Sequence, residues 1–337
     1  MVVGTAVGDW FARNTSHWDD WTLDGLLAAK GSQRVSLVVP ARNEAGTVGD
    51  VVSRVREALV ETVALVDEVV VIDSDSTDAT YDVATDAGAV VHRSAEVRPD
   101  LGSRPGKGEA MWKSLFVTTG DVLVFMDADL LDWDTHFVPG LLGPLLTRPE
   151  VALVKGFYER PGAEGPYDGG RVTELVARPV IALEHPELAG LVQPLAGEWA
   201  VRRSLFEALS VPTGYAVELA ALVDTAEMLG TDAIAQVDLG RRDHAHQALL
   251  DLGAMATQIL AAMARRRAAS AGAETVAARP PRPAGGVVEE AGLGPCPGTA
   301  RLDERVALRQ YQPGPGGIAP VDRPVLVSER PPARSLA

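Results

Sequence analysis

One cysteine, Cys296, stands in 337 residues. A lone thiol forms neither an intrachain disulfide nor a thiolate zinc site, and it fits a reducing compartment. Positive charge is scarce as well: 31 Lys and Arg face 46 Asp and Glu, a net charge of −15. That balance argues against a nucleic-acid partner, because a phosphate backbone needs a basic face. Long apolar runs are missing. None approaches the roughly 20 residues that cross a bilayer, and the N-terminus lacks the basic-then-apolar order of a secretion signal. The expectation is a soluble, cytoplasmic protein with no membrane contact. Apolar bulk, by contrast, is plentiful at 46% and can fill a sizeable core. In so acidic a protein, cations that handle anionic substrates must be gathered locally. Lys and Arg beside glycine turns are therefore the informative ones.

Residues 1–33 carry Trp10, Trp18 and Trp21 among polar neighbours and read as an N-terminal arm that docks elsewhere. From Arg34 onward, strand and helix patterns alternate. Val35–Val39 is a short apolar run closed by Pro40, followed by helical spacing at Val48, Val51, Val52, Val55 and Leu59. Val69–Ile72 and Gly88–Val91 are further strands, with Ser76-Thr77-Asp78 as a helix cap between them. Val122–Met126 is apolar on both faces and so central. The second half predicts a strand near 151–156, a Gly/Pro loop at 161–170 and a helix from about Arg171. A helix over 216–229, a strand at Ile234–Val237 and a helix over 247–267 follow. Beyond 268, Ala, Pro, Gly and Arg prevail, which reads as an extended or disordered tail. The alternation predicts an α/β fold with a mostly parallel central sheet flanked by helices.

In such a sheet, ligands bind beyond the carboxyl ends of the strands. That rule selects Pro40-Ala41-Arg42-Asn43-Glu44, then Asp73-Ser74-Asp75-Ser76, then Asp127-Ala128-Asp129. In an extended segment, residues i and i+2 share a side, so Asp127 and Asp129 address one spot. Two adjacent carboxylates repel unless a cation lies between them, and a divalent ion there would neutralise a diphosphate. A bare D-x-D also fits an ordinary strand end with solvated acids; its place after a wholly apolar strand favours the site. The first strand lacks G-x-G-x-x-G, which excludes a dinucleotide fold; its Asn and Glu suit a base and ribose, or an ordinary turn. Arg104-Pro105-Gly106-Lys107-Gly108-Glu109 is no Walker loop, because Gly108 stands where Ser or Thr must hold magnesium. Lys107 between glycines at a helix start still suits a diphosphate. Gly169-Gly170-Arg171-Val172-Thr173 is a second helix start with a cation and a hydroxyl. His244 and His246, in Arg241-Arg242-Asp243-His244-Ala245-His246, can complete a carboxylate metal site or lie on the surface.

Together these segments resemble the glucosyl-3-phosphoglycerate synthases, a retaining, actinobacterial family of GT-A type. The likeness runs from about Val35 to Met255, with an echo at Val321-Asp322-Arg323-Pro324. It is carried by Arg104–Trp112, by Gly170–Pro179 and by Ile234–Gly240. The resemblance implies a GT-A nucleotide-diphospho-sugar transferase fold, split into a nucleotide-sugar half over 34–160 and an acceptor half over 161–267, with the tail over 268–337. It implies that Pro40, Ala41, Arg42, Asn43, Glu44, Ser74, Asp127 and Ala128 hold the nucleotide. Lys107 and Arg242 would contact the diphosphate. Asp129 and His244 would bind Mg²⁺ or Mn²⁺. Tyr215, Glu218 and the backbone of Leu195 would meet the sugar. Gly170, Arg171, Val172, Thr173 and His246 would hold a small phosphorylated acid. Asp129, Lys107, Glu218 and Arg242 would carry the chemistry, with Glu218 orienting the sugar. A homodimer is implied too, with the N-terminal tryptophans and the tail as contributors. The chain departs from the family's pattern at His246 (usually Asn), Asp75 (usually Gly), Asp168 (usually Gly), Ala128 and Arg42. The implied reaction moves glucose from UDP-glucose to 3-phosphoglycerate. Transfer from GDP-mannose, a different acid acceptor, and a catalytically inactive sugar-nucleotide binder are the alternatives.

Overall fold

The computed structural model describes residues 2–159, 170–242, 248–277, 304–314 and 317–336. In chain order the elements are α1 (Val2–Asn14), β1 (Thr15–His17), α2 (Leu23–Lys30), β2 (Val35–Ala41), α3 (Val48–Val55), β3 (Glu68–Asp73), α4 (Thr80–Asp86) and β4 (Val90–Arg93). Next come α5 (Lys107–Ser114), β5 (Val122–Phe125), α6 (Phe137–Thr147), β6 (Leu153–Glu159), α7 (Arg178–Glu184), β7 (Trp199–Arg202), α8 (Arg203–Phe206) and β8 (Val211–Pro212). Last are α9 (Val217–Leu229), β9 (Ile234–Arg241), α10 (Leu249–Ala277), β10 (Arg305–Gly314), β11 (Gly317–Leu326) and β12 (Glu329–Arg330).

Eight strands form the main sheet in the order β1-β9-β6-β7-β5-β2-β3-β4. β7 runs against both its neighbours, and the other adjacent pairs are parallel. The parallel strands therefore end at one edge. Side chains alternate across the sheet: Val38, Leu123 and Phe125 pack into one apolar layer with Trp112 and Leu219, whereas Leu37, Val39, Val122 and Val124 pack into the other with Val51 and Leu141. Both faces of β5 are thus covered, as its unbroken apolar run predicts. Burying each such Val or Leu stabilises the fold by about 1.5–3 kcal/mol. The N-cap of α4 is Ala79 rather than the expected Ser76-Thr77-Asp78, although Asp78 Oδ1 just before it accepts from the Thr80 N–H at 3.0 Å.

Both ends of the chain differ from the reading of an arm and a loose tail. β1 is an edge strand, paired in parallel with β9 from Thr15 opposite Gln236. The three tryptophans serve the chain's own core. Trp10 is buried and donates from its indole N–H to the Thr231 carbonyl at 2.9 Å. Trp18 stacks on His136 at 4.2 Å between ring centres. Trp21 lies so close over Gly143 that a Cβ there would stand 2.3 Å from the indole. At the other end, α10 runs on to Ala277, and β10 and β11 form an antiparallel hairpin. β12 pairs with β8, and Val325 and Val327 are buried beside Ala261 of α10. The Pro, Gly and Arg content of this stretch hides the hairpin from a reading of composition.

Candidate active site

The shared strand edge delivers Pro40 to Glu44 after β2, Ser74 after β3, Asp127-Ala128-Asp129 after β5 and Arg242 after β9. Leu195 and Gly197 lead into β7 at the same edge, because β7 runs the other way. With Lys107, Tyr215 and Glu218 these residues line one cavity of about 690 Å³. Gly170, Arg171, Val172 and Thr173 line it too. Every predicted site residue within the described chain faces this cavity except Asn43. Asn43 sits at φ 59°, accepts from the Thr77 N–H at 2.8 Å and donates its own N–H to Ser76 Oγ at 2.9 Å. Its side chain ties the loop after β2 to the loop after β3. His244 and His246 fall outside the described residues, as does Asp168.

Local backbone chemistry sets these positions. Asp75 adopts φ 58°; a short acidic side chain tolerates the left-handed region where most residues do not. Gly106 sits at φ 133°, and a Cβ there would lie 2.2 Å from the Thr213 carbonyl oxygen. Only glycine lets the turn press against the segment after β8 and present Lys107 at the start of α5. At Gly197 a Cβ would stand 2.0 Å from Asp127 Oδ2. The bare backbone there makes room for the carboxylate.

Charge is concentrated at this edge. Lys107 Nζ lies 2.5 Å from Asp127 Oδ1 and 2.8 Å from Glu218 Oε1. Arg242 is 2% exposed. Its Nη2 donates to Asp127 Oδ2 at 3.0 Å and to Asp129 Oδ1 at 3.1 Å, and its Nη1 reaches Glu198 Oε2 at 3.0 Å. Burial disfavours the Asp127 carboxylate, but Lys107 and Arg242 outweigh it and hold the group well below the usual carboxylate range. Burial, then the charge of Asp127, pushes Asp129 up. Burial also opposes the Lys107 ammonium, yet Asp127 and Glu218 keep it firmly protonated. Glu44 is pushed up to about 7 by burial and by Asp129 and Asp127.

Four carboxylates, Asp127, Asp129, Glu198 and Glu218, thus share two cations, Lys107 and Arg242. The surplus negative charge and the all-oxygen donor set fit a hard divalent ion held partly by substrate oxygens. Among the described residues no three His, Cys, Asp or Glu side chains form a metal cluster by themselves. A site completed by diphosphate oxygens requires fewer protein ligands.

Sequence reasoning missed Glu198 and Tyr158 behind Arg242, and the contributions of α10 and β11. Gln258 and Met255 line the cavity, as do Arg323, Pro324, Val325 and Leu326. A charge embedded in an apolar run, as in Leu195-Ala196-Gly197-Glu198-Trp199-Ala200-Val201, is the signal that could have found Glu198.

A mostly parallel sheet, an acidic pair at the end of its central strand and cations gathered opposite define a glycosyltransferase that works on nucleotide-activated sugars. Residues 36–209 match the model of glycosyl transferase family 2. The glucosyl-3-phosphoglycerate synthase of Mycolicibacterium smegmatis is 48% identical over 261 residues, covering 76% of this chain and 85% of that protein. Its counterpart from Mycobacterium tuberculosis is 45% identical over 273 residues, covering 79% and 83%. A crystal structure of the Mycobacterium tuberculosis enzyme with Mn²⁺, UDP and phosphoglyceric acid superposes with a TM-score of 0.78 at 39% identity, covering 96% of this chain and 99% of that one. Others of that enzyme hold Mn²⁺ with UDP-glucose and phosphoglyceric acid, or Mg²⁺ with UDP. The chain belongs to the glucosyl-3-phosphoglycerate synthase family.

Proposed function

We propose that this protein transfers glucose from UDP-glucose to 3-phosphoglycerate in a reaction that depends on Mg²⁺ or Mn²⁺. The observation that carries the reading is the meeting, in one cavity, of the Lys107–Arg242 charge cluster with the helix start at Gly170–Thr173, which brings the Arg171 cation and the Thr173 hydroxyl. Pro40, Ala41, Arg42, Glu44, Ser74 and Ala128 hold the uridine and ribose. Lys107 and Arg242 receive the charge that develops on the departing diphosphate, and fixed cations in a buried site are the main source of rate. Bound to Asp129, with His244 as a further ligand, the metal neutralises the leaving diphosphate. Arg171, Thr173 and the N–H groups around Gly170 and Val172 grip the acceptor's anionic end, joined by His246.

Retention of configuration follows from an attack on the face that the diphosphate leaves. Glu218 orients the sugar together with Tyr215 and the Leu195 backbone. Its carboxylate is 4% exposed and clamped by the Lys107 ammonium at 2.8 Å. An acid tied up in this way is a weak nucleophile, which supports the orienting role. A lone cysteine agrees with a cytoplasmic setting. No described helix is long and apolar enough to cross a membrane. A homodimer is part of the same reading; sedimentation velocity checks it.

The test is direct. Purified protein is incubated with 3-phosphoglycerate, Mn²⁺ and either UDP-glucose or GDP-mannose, and products are identified by mass. The expected product is glucosyl-3-phosphoglycerate, formed from UDP-glucose. A mannosyl product alone, or UDP-glucose bound without turnover over a panel of acids, overturns the assignment.

A further inference from the structure

Glu198 and Tyr158 have no part in the roles above, yet both are fully buried behind the charge cluster. The Tyr158 hydroxyl donates to Glu198 Oε2 at 2.7 Å. Arg242 Nη1 donates to both, at 2.6 Å to Tyr158 Oη and 3.0 Å to Glu198 Oε2. The Tyr158 ring is itself stacked on Phe137, 6.2 Å between centres and 7° between planes. The guanidinium is therefore divided. One arm is held from behind by Glu198 and Tyr158, while the other faces Asp127 and Asp129. Arginine's rigid fork seeks bidentate carboxylate contacts. Without an acid behind it, this guanidinium would settle fully onto the Asp127–Asp129 pair, where a divalent cation must go.

Packing alone does not account for Glu198. Its Oε1 has no hydrogen-bond partner among the described residues, and neither has Arg242 Nε. A buried carboxylate with one idle oxygen is costly, and an apolar side chain would fill the same space at lower cost. The position is unfavourable for the fold and well suited to dividing the arginine.

We propose that Glu198, steadied by Tyr158, is a positioning residue for Arg242: it draws back one arm of the guanidinium, so that only Nη2 bonds the acidic pair and takes a single oxygen of Asp129, Oδ1, leaving Oδ2 for the divalent cation. The inference rests on the transferase reading above. Outer partners of a metal site change its affinity by about 10–100-fold.

The experiment measures Mn²⁺ binding in the presence of UDP, by electron paramagnetic resonance of the free ion. It compares wild type with Glu198→Gln, Glu198→Asp and Tyr158→Phe, with unfolding curves alongside. Glu198→Gln removes the charge; Glu198→Asp keeps it and shortens its reach. Both should weaken Mn²⁺ by at least about tenfold. Tyr158→Phe, which keeps the acid, should weaken it severalfold. A merely structural role lowers the melting temperature and leaves Mn²⁺ affinity alone, and that result overturns the proposal. Wild-type Mn²⁺ affinity in Glu198→Asp overturns it as well, because net charge would then be the whole effect. If the Glu198 variants do not fold, Tyr158→Phe decides, and unchanged affinity there refutes the role. Failure of the wild type itself to bind Mn²⁺ with UDP would instead strike down the transferase reading.

Discussion

Two residues apart on α5, Lys107 and Glu109 belong to charge clusters of opposite kinds. At Glu109 one acid meets one base. Arg330 Nε and Nη2 reach Glu109 Oε2 and Oε1 at 2.7 and 2.6 Å, and Nη1 and Nη2 also donate to the Leu101 and Gly102 carbonyls. The guanidinium lies over the Trp112 ring, 4.9 Å from its centre. Both partners are buried and the cluster is closed. It fastens the C-terminal strand β12 against the helix that carries Lys107. Around Lys107, four acids compete for two cations, and two buried polar atoms lack partners among the described residues. A closed pair holds the fold together. An open cluster with surplus charge is prepared for something that arrives from outside.

The contrast can be broken by mutation. The largest effect on stability should come from Arg330→Met, which strands a buried Glu109 and should cost about 3–5 kcal/mol in urea unfolding. A loss below about 1 kcal/mol would show that the closed pair does not fasten the C-terminus. Asp129→Ala should do the reverse: melting temperature nearly unchanged, kcat lower by on the order of 10²–10³ at saturating Mn²⁺. A folded variant with wild-type turnover under limiting metal would remove Asp129 from the site.

A third experiment sharpens the comparison with a buried base beside the open cluster, within reach of Glu218, Lys107, Glu198 and Asp127. Lys155 is 1% exposed and donates to the Ala196 carbonyl at 2.5 Å. Burial lowers its pKa to about 7, against an ordinary 10.5. The unfolded chain then binds more protons than the folded one between about pH 7 and 10.5. Stability should rise with pH across that window, by up to about 1.4 kcal/mol per unit, with the full penalty present below it. Unfolding free energies of wild type minus Lys155→Met at pH 6, 8 and 10 should therefore shift in favour of the wild type as pH rises. A difference that does not change with pH would place the amine in a wetter setting. The smallest effect expected is that of Arg171→Ala, which should raise the acceptor KM by about tenfold, about 1.4 kcal/mol, and leave the UDP-glucose KM near its wild-type value. An equal rise in both would move the acceptor away from Gly170–Thr173.

Part of the site was legible from local sequence, whereas Glu218 and Arg242 were marked only by the family resemblance. Asp127, Asp129, Ser74 and Glu44 follow strands whose apolar runs are plain, and the strand-end rule then places them together. Lys107 was marked by its glycines. What stayed hidden depends on pairing at long range. β7 is four residues long, with no alternation to announce it, so its reversed direction could not be read, and only the charge set in its apolar run pointed to Glu198. β1 is three residues and takes its identity from β9. Arg323 to Leu326 reach the cavity on a hairpin that composition describes as a tail. Asn43, in a left-handed backbone, ties its loop to the neighbouring one through Oδ1, a link that depends on the pairing of β2 with β3 and that residue type alone does not announce.

The central claim is that the surplus acid beside Lys107 is completed by a divalent cation on a diphosphate. Isothermal titration of UDP into the wild type and into Asp129→Ala, each with Mn²⁺ and with chelator, tests it most directly. The account predicts that Mn²⁺ tightens UDP by at least about tenfold in the wild type, some 1.4 kcal/mol, and scarcely at all in the variant. Equal UDP affinity with and without Mn²⁺ in the wild type would contradict it.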